Sequence, residues 1–525
     1  MGHTIASIFL FGRSDLSDAR SHRGAMPVSR SRDIDLKMPE LRSAAAAGAK
    51  WTAISALAGA AIQFAQLAIL ARFLSPSDFG LVAIIMVILG FAQTYLDMGI
   101  GNAIIQRQET SREQLSSLYW LNIFVGWITF GIVVALTPAI ASLYREPHLL
   151  TILPLAALLF LLGPPGAQFS LLLQKSLRFR MLAFVEIASM LGGALIAIGA
   201  AIVGFGALAL VFGQLFNAAI SSLILLIVGW RNWKPMFRFQ RDDIKGYLSF
   251  GLYQMGERTL NFLSSRADQL FIGIVLGPAS LGYYSLAWNL TIQPVSRINP
   301  ILTRVAFPLF AQMQDQTDRL QRGYLTLVHV LSAINAPMLL GCAAVAPIFV
   351  PLVYGPQWGT SVLLVQILAG VGLLRSIINP IGTLQIAKGR ADMGFFWNLS
   401  VVGLQFMGVP IGIYFGGSVG IAVSLLILCI GYYCGTYSFM VRILVGPCLK
   451  SFAMNTLVPA LIAAVMAVVV LALPRLVSAP APLILATQVG LGAMVYVVLI
   501  MMLQPTLTKE FLGIVTAKSK SSPQH

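Results

Sequence analysis

From residue 51 onward the chain is a succession of long apolar runs separated by short polar turns. The runs fall at about 51–72, 78–100, 117–143, 149–173, 181–203, 206–229, 247–276, 280–304, 324–353, 360–386, 394–415, 418–441, 453–474 and 482–503. A helix that crosses a bilayer needs about 20 predominantly apolar residues, so this pattern predicts fourteen transmembrane helices. Within each run the apolar residues are continuous, not alternating, which excludes a transmembrane β-barrel. Glycine and proline inside many runs are compatible with membrane helices, where neighbouring elements re-satisfy the freed backbone groups. Residues 1–45 differ: they are Ser- and Arg-rich without apolar periodicity and read as a disordered tail. The apolar patch at 5–11 is too short for a signal peptide. Met26 and Met38 stand beside Met1 as candidate translation starts, and Met38 opens a basic, Ala-rich lead-in to the first run.

Composition narrows the class. Hydrophobic residues make up 57% of the 525 and charged residues 10%, against about 25% charged in a soluble domain. An all-α integral membrane protein is the class that fits. The net charge of +16 would suggest nucleic acid in a soluble chain, but cytoplasmic loops of membrane proteins collect Lys and Arg. With the N-terminus inside, the inside segments carry Arg107 and Arg112, Lys175, Arg178 and Arg180, five basic residues at 231–245, and comparable groups after each later pair of runs. The outside segments carry only Arg72, Arg145 and Arg475. This alternation predicts both termini cytoplasmic and no nucleic-acid partner. No outside loop is long enough to build a catalytic domain.

An internal echo organises the fourteen runs. Leu74-Ser-Pro76-Ser-Asp78-Phe-Gly80 joins runs 1 and 2, and Leu276-Gly-Pro278-Ala-Ser-Leu-Gly282 joins runs 7 and 8; both read L-x-P-x-x-x-G. Tyr144-Arg-Glu-Pro147 after run 3 is echoed by Tyr354-Gly-Pro356 after run 9. Six runs separate the members of each pair. Six is even, so the halves share one orientation, the parallel-repeat arrangement of many secondary transporters with the substrate path between halves. The expected organisation is a tail (1–45), an N-lobe of runs 1–6 (46–240), a C-lobe of runs 7–12 (241–445), an appended pair (446–505) and a second tail (506–525).

Charges inside apolar runs carry the candidate chemistry, because each costs about 2.5–3.5 kcal/mol on insertion scales. Run 7 holds Glu257, Arg258, Arg266 and Asp268; run 8 holds Arg297 and Arg304; run 10 adds Arg375. At 100° per residue Glu257 and Asp268 lie within about 20° of each other, with Arg258 and Arg266 turned well away. Buried Arg–carboxylate pairs that fix packing account for two of these five arginines, and Arg304 can snorkel to the membrane edge. The remainder points to a water-filled cationic cavity for an anionic headgroup such as a diphosphate, which guanidinium groups grip bidentately. Neutralising Arg258, Arg266 or Arg375 is expected to abolish transport while expression survives. Asp97 and His329 are candidate coupling or gating groups, with a loop cap and a packed neutral imidazole as the competing readings. Four cysteines show no C-x-x-C spacing and no Cys/His cluster, so neither metal nor cofactor is expected. No Walker A, H-E-x-x-H or G-x-S-x-G motif is present, which argues against an ATPase or an enzyme.

Several runs resemble a known family. They are Leu70-Ala-Arg-Phe-Leu-Ser-Pro-Ser-Asp-Phe-Gly-Leu-Val-Ala83, Asp97-Met-Gly-Ile-Gly-Asn-Ala-Ile-Ile-Gln-Arg107, Gln114-Leu-Ser-Ser-Leu-Tyr-Trp-Leu-Asn122, Ala267-Asp-Gln-Leu-Phe-Ile-Gly273 and Arg304-Val-Ala-Phe-Pro308. Over about residues 48–505 the chain resembles the Wzx-type polysaccharide flippases of the multidrug/oligosaccharidyl-lipid/polysaccharide (MOP) exporter superfamily. The resemblance implies a MATE-like fold of two six-helix lobes around a central cavity, with alternating access. It implies a substrate of undecaprenyl-diphosphate-linked oligosaccharide, moved to the periplasmic leaflet of a bacterial inner membrane, with a polysaccharide polymerase and chain-length or export proteins as partners. Cationic cavity residues would fall on Arg258, Arg266, Arg297 and Arg375. Three other functions compete: a peptidoglycan-precursor flippase, a cation-coupled drug antiporter and a membrane polysaccharide polymerase. The absence of an acidic residue in run 1 and of a large outside loop weighs against the last two.

Overall fold

A computed structural model describes residues 38–96, 111–231, 233–237, 239–476 and 479–503, and every regular element among them is helical. The first half comprises α1 (Met38–Phe73), α2 (Pro76–Leu96), α3 (Arg112–Tyr144), α4 (Leu149–Ala157), α5 (Leu159–Leu162), α6 (Pro164–Lys175), α7 (Phe179–Val203) and α8 (Ala207–Trp230). The second half comprises α9 (Arg241–Gln312), α10 (Thr317–Val353), α11 (Thr360–Ile378), α12 (Pro380–Ala387) and α13 (Ala391–Thr436), the last continuing through a π-helical turn into α14 (Arg442–Val445). Two further helices follow, α15 (Leu449–Leu476) and α16 (Ala481–Leu503).

By length and apolarity eleven described helices can each cross a membrane, or twelve if the run 149–175, bent by 41° at residue 163, is one span. The sequence expectation was fourteen, and the difference lies in two helices. The apolar stretches Asn261–Gln312 and Asp392–Val445 are 52 and 54 residues long. At 1.5 Å per residue each is more than twice the roughly 30 Å hydrocarbon thickness. Both contain a backbone break at glycine: Gly277 (φ 79°, ψ 178°) in α9 and Gly416–Gly417 (Gly417 φ 56°) in α13. A positive φ is readily adopted only without a Cβ, so these glycines set where each long helix turns. At the other end of the chain, α1 begins at Met38, so residues 38–45, which the sequence placed in a disordered tail, are helical. The tails 1–37 and 504–525 lie outside the described residues.

The surface is that of a protein in lipid. Leu57, Val203 and Met407 are 73%, 74% and 69% exposed, in numbers and sizes that water would penalise heavily. Lipid leaves little hydrophobic drive between helices, so close packing and small residues hold them together. On α7 and α8 this is direct: a Cβ at Gly193 would overlap the Gly213 carbonyl, and one at Gly213 would overlap Ala197. Helix starts are specified locally. Pro76 opens α2 with Asp78 in its first turn, and Ser111 with Gln114 forms a reciprocal capping box on α3.

The largest buried cluster crosses between the halves. Leu70, Phe79 and Ile84 pack in it with Tyr284, Trp288 and Trp358, and the most extensive helix pair joins α2 to α9. A second cluster lies in the second half, where Tyr324 of α10 stacks on Phe452 of α15 and Tyr496 of α16 donates to the Ala333 carbonyl. The added helices α15 and α16 therefore pack on α10. Tyr119 is buried against Phe169 and Trp233. These three rings fill the space between α3, α6 and the segment after α8.

Candidate substrate cavity

A cavity of about 680 Å³ lies between the two halves, lined by α1, α2, α5, α7 and α8 from one side and α9 from the other. That volume falls within the range of roughly 300–1,000 Å³ typical of ligand pockets. Its polar lining comes from helical registers. Gln63 and Gln66 lie three apart on α1, Gln214 and Asn217 three apart on α8, and Asn289 and Gln293 four apart on α9. Residues at these spacings share one helix face, so each helix presents two amides to the same space.

Charge enters from one side only. Arg266 and Arg297, both on α9, line the cavity, and no Asp or Glu appears among its described lining residues. The Arg266 guanidinium donates to Gln269 Oε1 at 2.9 Å, which holds its head at the wall. Arg297 is exposed to the cavity and donates to Gln63 Oε1 of α1, a bond across the two halves.

Behind this wall sits a buried polar group. Trp288 lines the cavity, Tyr284 stacks beside it (ring centroids 6.1 Å) and the Arg375 guanidinium lies 5.2 Å from its centroid. Tyr284 Oη donates to Asp268 Oδ2 at 2.5 Å, and Asp268 is only 3% exposed. Arg375 lies close enough to act electrostatically on this carboxylate. The helical arithmetic explains the split. Two residues on α9 turn a chain by about 200°, so Arg266 faces the cavity while Asp268 faces the interior of the second half.

Of the residues singled out in sequence, the structure thus brings Arg266 and Arg297 to the cavity and sets Arg375 and Asp268 behind it. Arg258 is half-buried on α9 and is not among the lining residues. His329 is buried between α10 and α15, its Nδ1 2.8 Å from Asn455 Oδ1, and lies outside the lining. Asp97 and the Glu257 side chain lie outside the described residues. Sequence reasoning missed the amides. Their signal was available as Gln and Asn pairs at helical spacing within apolar runs, but attention to charge passed over them.

Beside the Leu70 and Phe79 edge of the cavity, the two L-x-P-x-x-x-G turns pack against each other. A Cβ at Gly80 would overlap the Pro278 carbonyl oxygen, and a Cβ at Gly282 would overlap that of Pro76. Around this contact, Trp358 Nε1 donates to the Ala71 carbonyl at 2.9 Å, and Gln357 Nε2 to the same oxygen at 2.8 Å. Arg72 donates to the Val353 and Leu352 carbonyls at 3.1 and 2.5 Å. Phe79 meets Trp358 edge-on at 5.0 Å. Asp78 accepts from Ser75 N at 2.9 Å and from Ala207 N at 3.0 Å, tying the start of α2 to the start of α8.

The comparisons agree with this architecture. Residues 69–363, over half of the chain, match the family model described as polysaccharide biosynthesis protein. The chain is 33% identical to the lipopolysaccharide biosynthesis protein WzxC of Escherichia coli (strain K12), covering 80% of this chain and 85% of that protein. It is also 33% identical to the teichuronic acid biosynthesis protein TuaB of Bacillus subtilis (strain 168), covering 90% and 99%. In three dimensions it is similar to a structure of the lipid II flippase MurJ in an inward closed conformation, with a TM-score of 0.69, 13% identity and coverage of 88% and 99%. At that identity the likeness speaks for the fold alone. On this evidence of sequence and fold the chain is a multi-pass membrane protein that shares the fold of the MurJ structure, and it belongs to the polysaccharide biosynthesis protein family.

Proposed function

We propose that this protein is a flippase that moves undecaprenyl-diphosphate-linked oligosaccharide repeat units from the cytoplasmic to the periplasmic leaflet, by alternating access, for assembly of a surface polysaccharide. The observation that carries the reading is a cavity between two pseudo-repeated halves with two arginines and no described acid on its wall. A diphosphate diester carries two negative charges, and guanidinium groups bind phosphate oxygens in a bidentate fork. A small hydrophobic cation, the cargo of a drug antiporter, would be repelled by the same wall. The alternation of basic segments supports a reading with both termini in the cytoplasm. The Gly80–Pro278 contact then faces the periplasm, and the product would pass there to a polymerase.

The test is the sidedness of the lipid-linked oligosaccharide in cells lacking this protein, with and without its restoration. Build-up on the cytoplasmic face that clears on restoration is the expected result. Normal delivery to the outer face without the protein would overturn it. Viability of the deleted strain separates this reading from a peptidoglycan-precursor flippase, whose loss should be lethal.

A further inference from the structure

We propose that the cavity reads its substrate in two parts: the arginines of α9 take the diphosphate, and the amide wall of α1 and α8 takes neutral, hydroxyl-bearing sugar rings next to it. This inference rests on the flippase reading above and deepens it, since it names the residues that select the sugar.

The two walls differ in chemistry. On the first-half wall the polar side chains are Gln63, Gln66, Gln214 and Asn217; the other lining residues of that half are apolar or glycine. Gln63 accepts from Arg297, but Gln66, Gln214 and Asn217 make no hydrogen bond to another residue, although each is half-buried within a membrane helix. An amide in an apolar helix has a cost unless its donors and acceptors are used. Helix packing does not use these three, and all three converge on one space.

A primary amide offers two N–H donors and an acceptor oxygen. A sugar hydroxyl both donates and accepts, so an amide matches it in either sense. A carboxylate or phosphate only accepts, so it can use the amide's N–H donors but leaves the amide oxygen without a partner, whereas an arginine cannot accept from a hydroxyl. The arginine wall therefore suits the diphosphate and the amide wall suits neutral rings. Asn289 and Gln293 lie on α9 between Trp288 and Arg297 and extend the amide surface toward the cationic side. The sugar attached directly to the diphosphate would be held between the two walls.

The experiment uses the purified full chain and two probes: undecaprenyl diphosphate without sugar, and the lipid-linked oligosaccharide extracted from cells deleted for this protein. The wild type should bind the sugar-bearing lipid about tenfold or more tighter, the scale set by two or three net hydrogen bonds. Gln214→Met with Asn217→Leu should bring the ratio of the two affinities to about one, while Arg266→Ala should weaken both and keep the ratio. Equal binding of both lipids by the wild type, or a preference retained in the double variant, would overturn the assignment. If the double variant does not reach the membrane, Gln66→Met on α1 carries the same comparison. Failure of the wild type to bind either lipid would instead bring down the flippase reading, and this one with it.

Discussion

Gly80 of α2 lies directly against the carbonyl of Pro278, and Gly282 of α9 lies in the same way against the carbonyl of Pro76. The two turns of the internal repeat thus pack on each other reciprocally. Neither glycine can carry a side chain without moving the opposite backbone. Gly80→Val should therefore prise this contact apart. In a background with Cys342, Cys429, Cys434 and Cys448 replaced, a cysteine at Gln66 should react with a membrane-impermeant maleimide from that side faster in the Gly80→Val variant than without it. An unchanged labelling rate would mean that the contact does not hold the cavity shut.

Trp358→Phe isolates one bond around the same contact. It keeps the ring against Phe79 and loses the 2.9 Å hydrogen bond to the Ala71 carbonyl. The expected cost is about 0.5–1.5 kcal/mol, seen as a modest fall in thermal stability. A loss no larger than that of a lipid-facing substitution such as Leu57→Ala would show that the bond contributes nothing.

Arg266 and Arg297 are predicted to matter through charge at the cavity wall. Arg266→Ala and Arg297→Ala should each abolish polymer export while the protein still accumulates in the membrane. Arg266→Lys should recover only part of the activity, because an ammonium lacks the planar fork. Polymer export at the wild-type level in both Ala variants would remove the cationic wall from the mechanism.

Arg375 is predicted to act differently, as the partner of a buried carboxylate. Arg375→Gln removes one of the two guanidinium charges, with that of Arg266, that act on buried Asp268, and a buried charge that loses compensation is destabilised. The amount of folded protein should fall, and Asp268→Asn with Arg375→Gln together should restore it. If Arg375→Gln accumulates normally yet transports nothing, its role lies with the substrate, as expected from sequence, and not in this pair.

His329 touches Asn455 between α10 and α15 and does not line the cavity. His329→Gln, which can still hydrogen-bond Asn455, should keep transport and leave its pH profile unmoved. A profile that flattens in this variant would make His329 a proton relay.

Sequence and tertiary structure divided the information along a physical line. The membrane class, the apolar runs, the repeat and the arginines of α9 were legible in the chain, because the cost of burying polarity in lipid constrains each span by itself. The period of the α-helix even separated Arg266 from Asp268 onto different faces. Which arginines reach the cavity was not legible, since Arg297 and Arg375 are equally conspicuous in their spans. Only the packing of α9 against α11 and α13 puts Arg375 behind Trp288, and only the seating of α9 opposite α1 brings Arg297 to Gln63. The span count shows the same limit, because apolarity marks where helices run and backbone dihedrals at Gly277 and Gly416–Gly417 decide where they break. The two L-x-P-x-x-x-G turns were visible as an echo, but that they meet face to face is a property of the folded pair: two segments about two hundred residues apart share a surface only after the helices between them have packed.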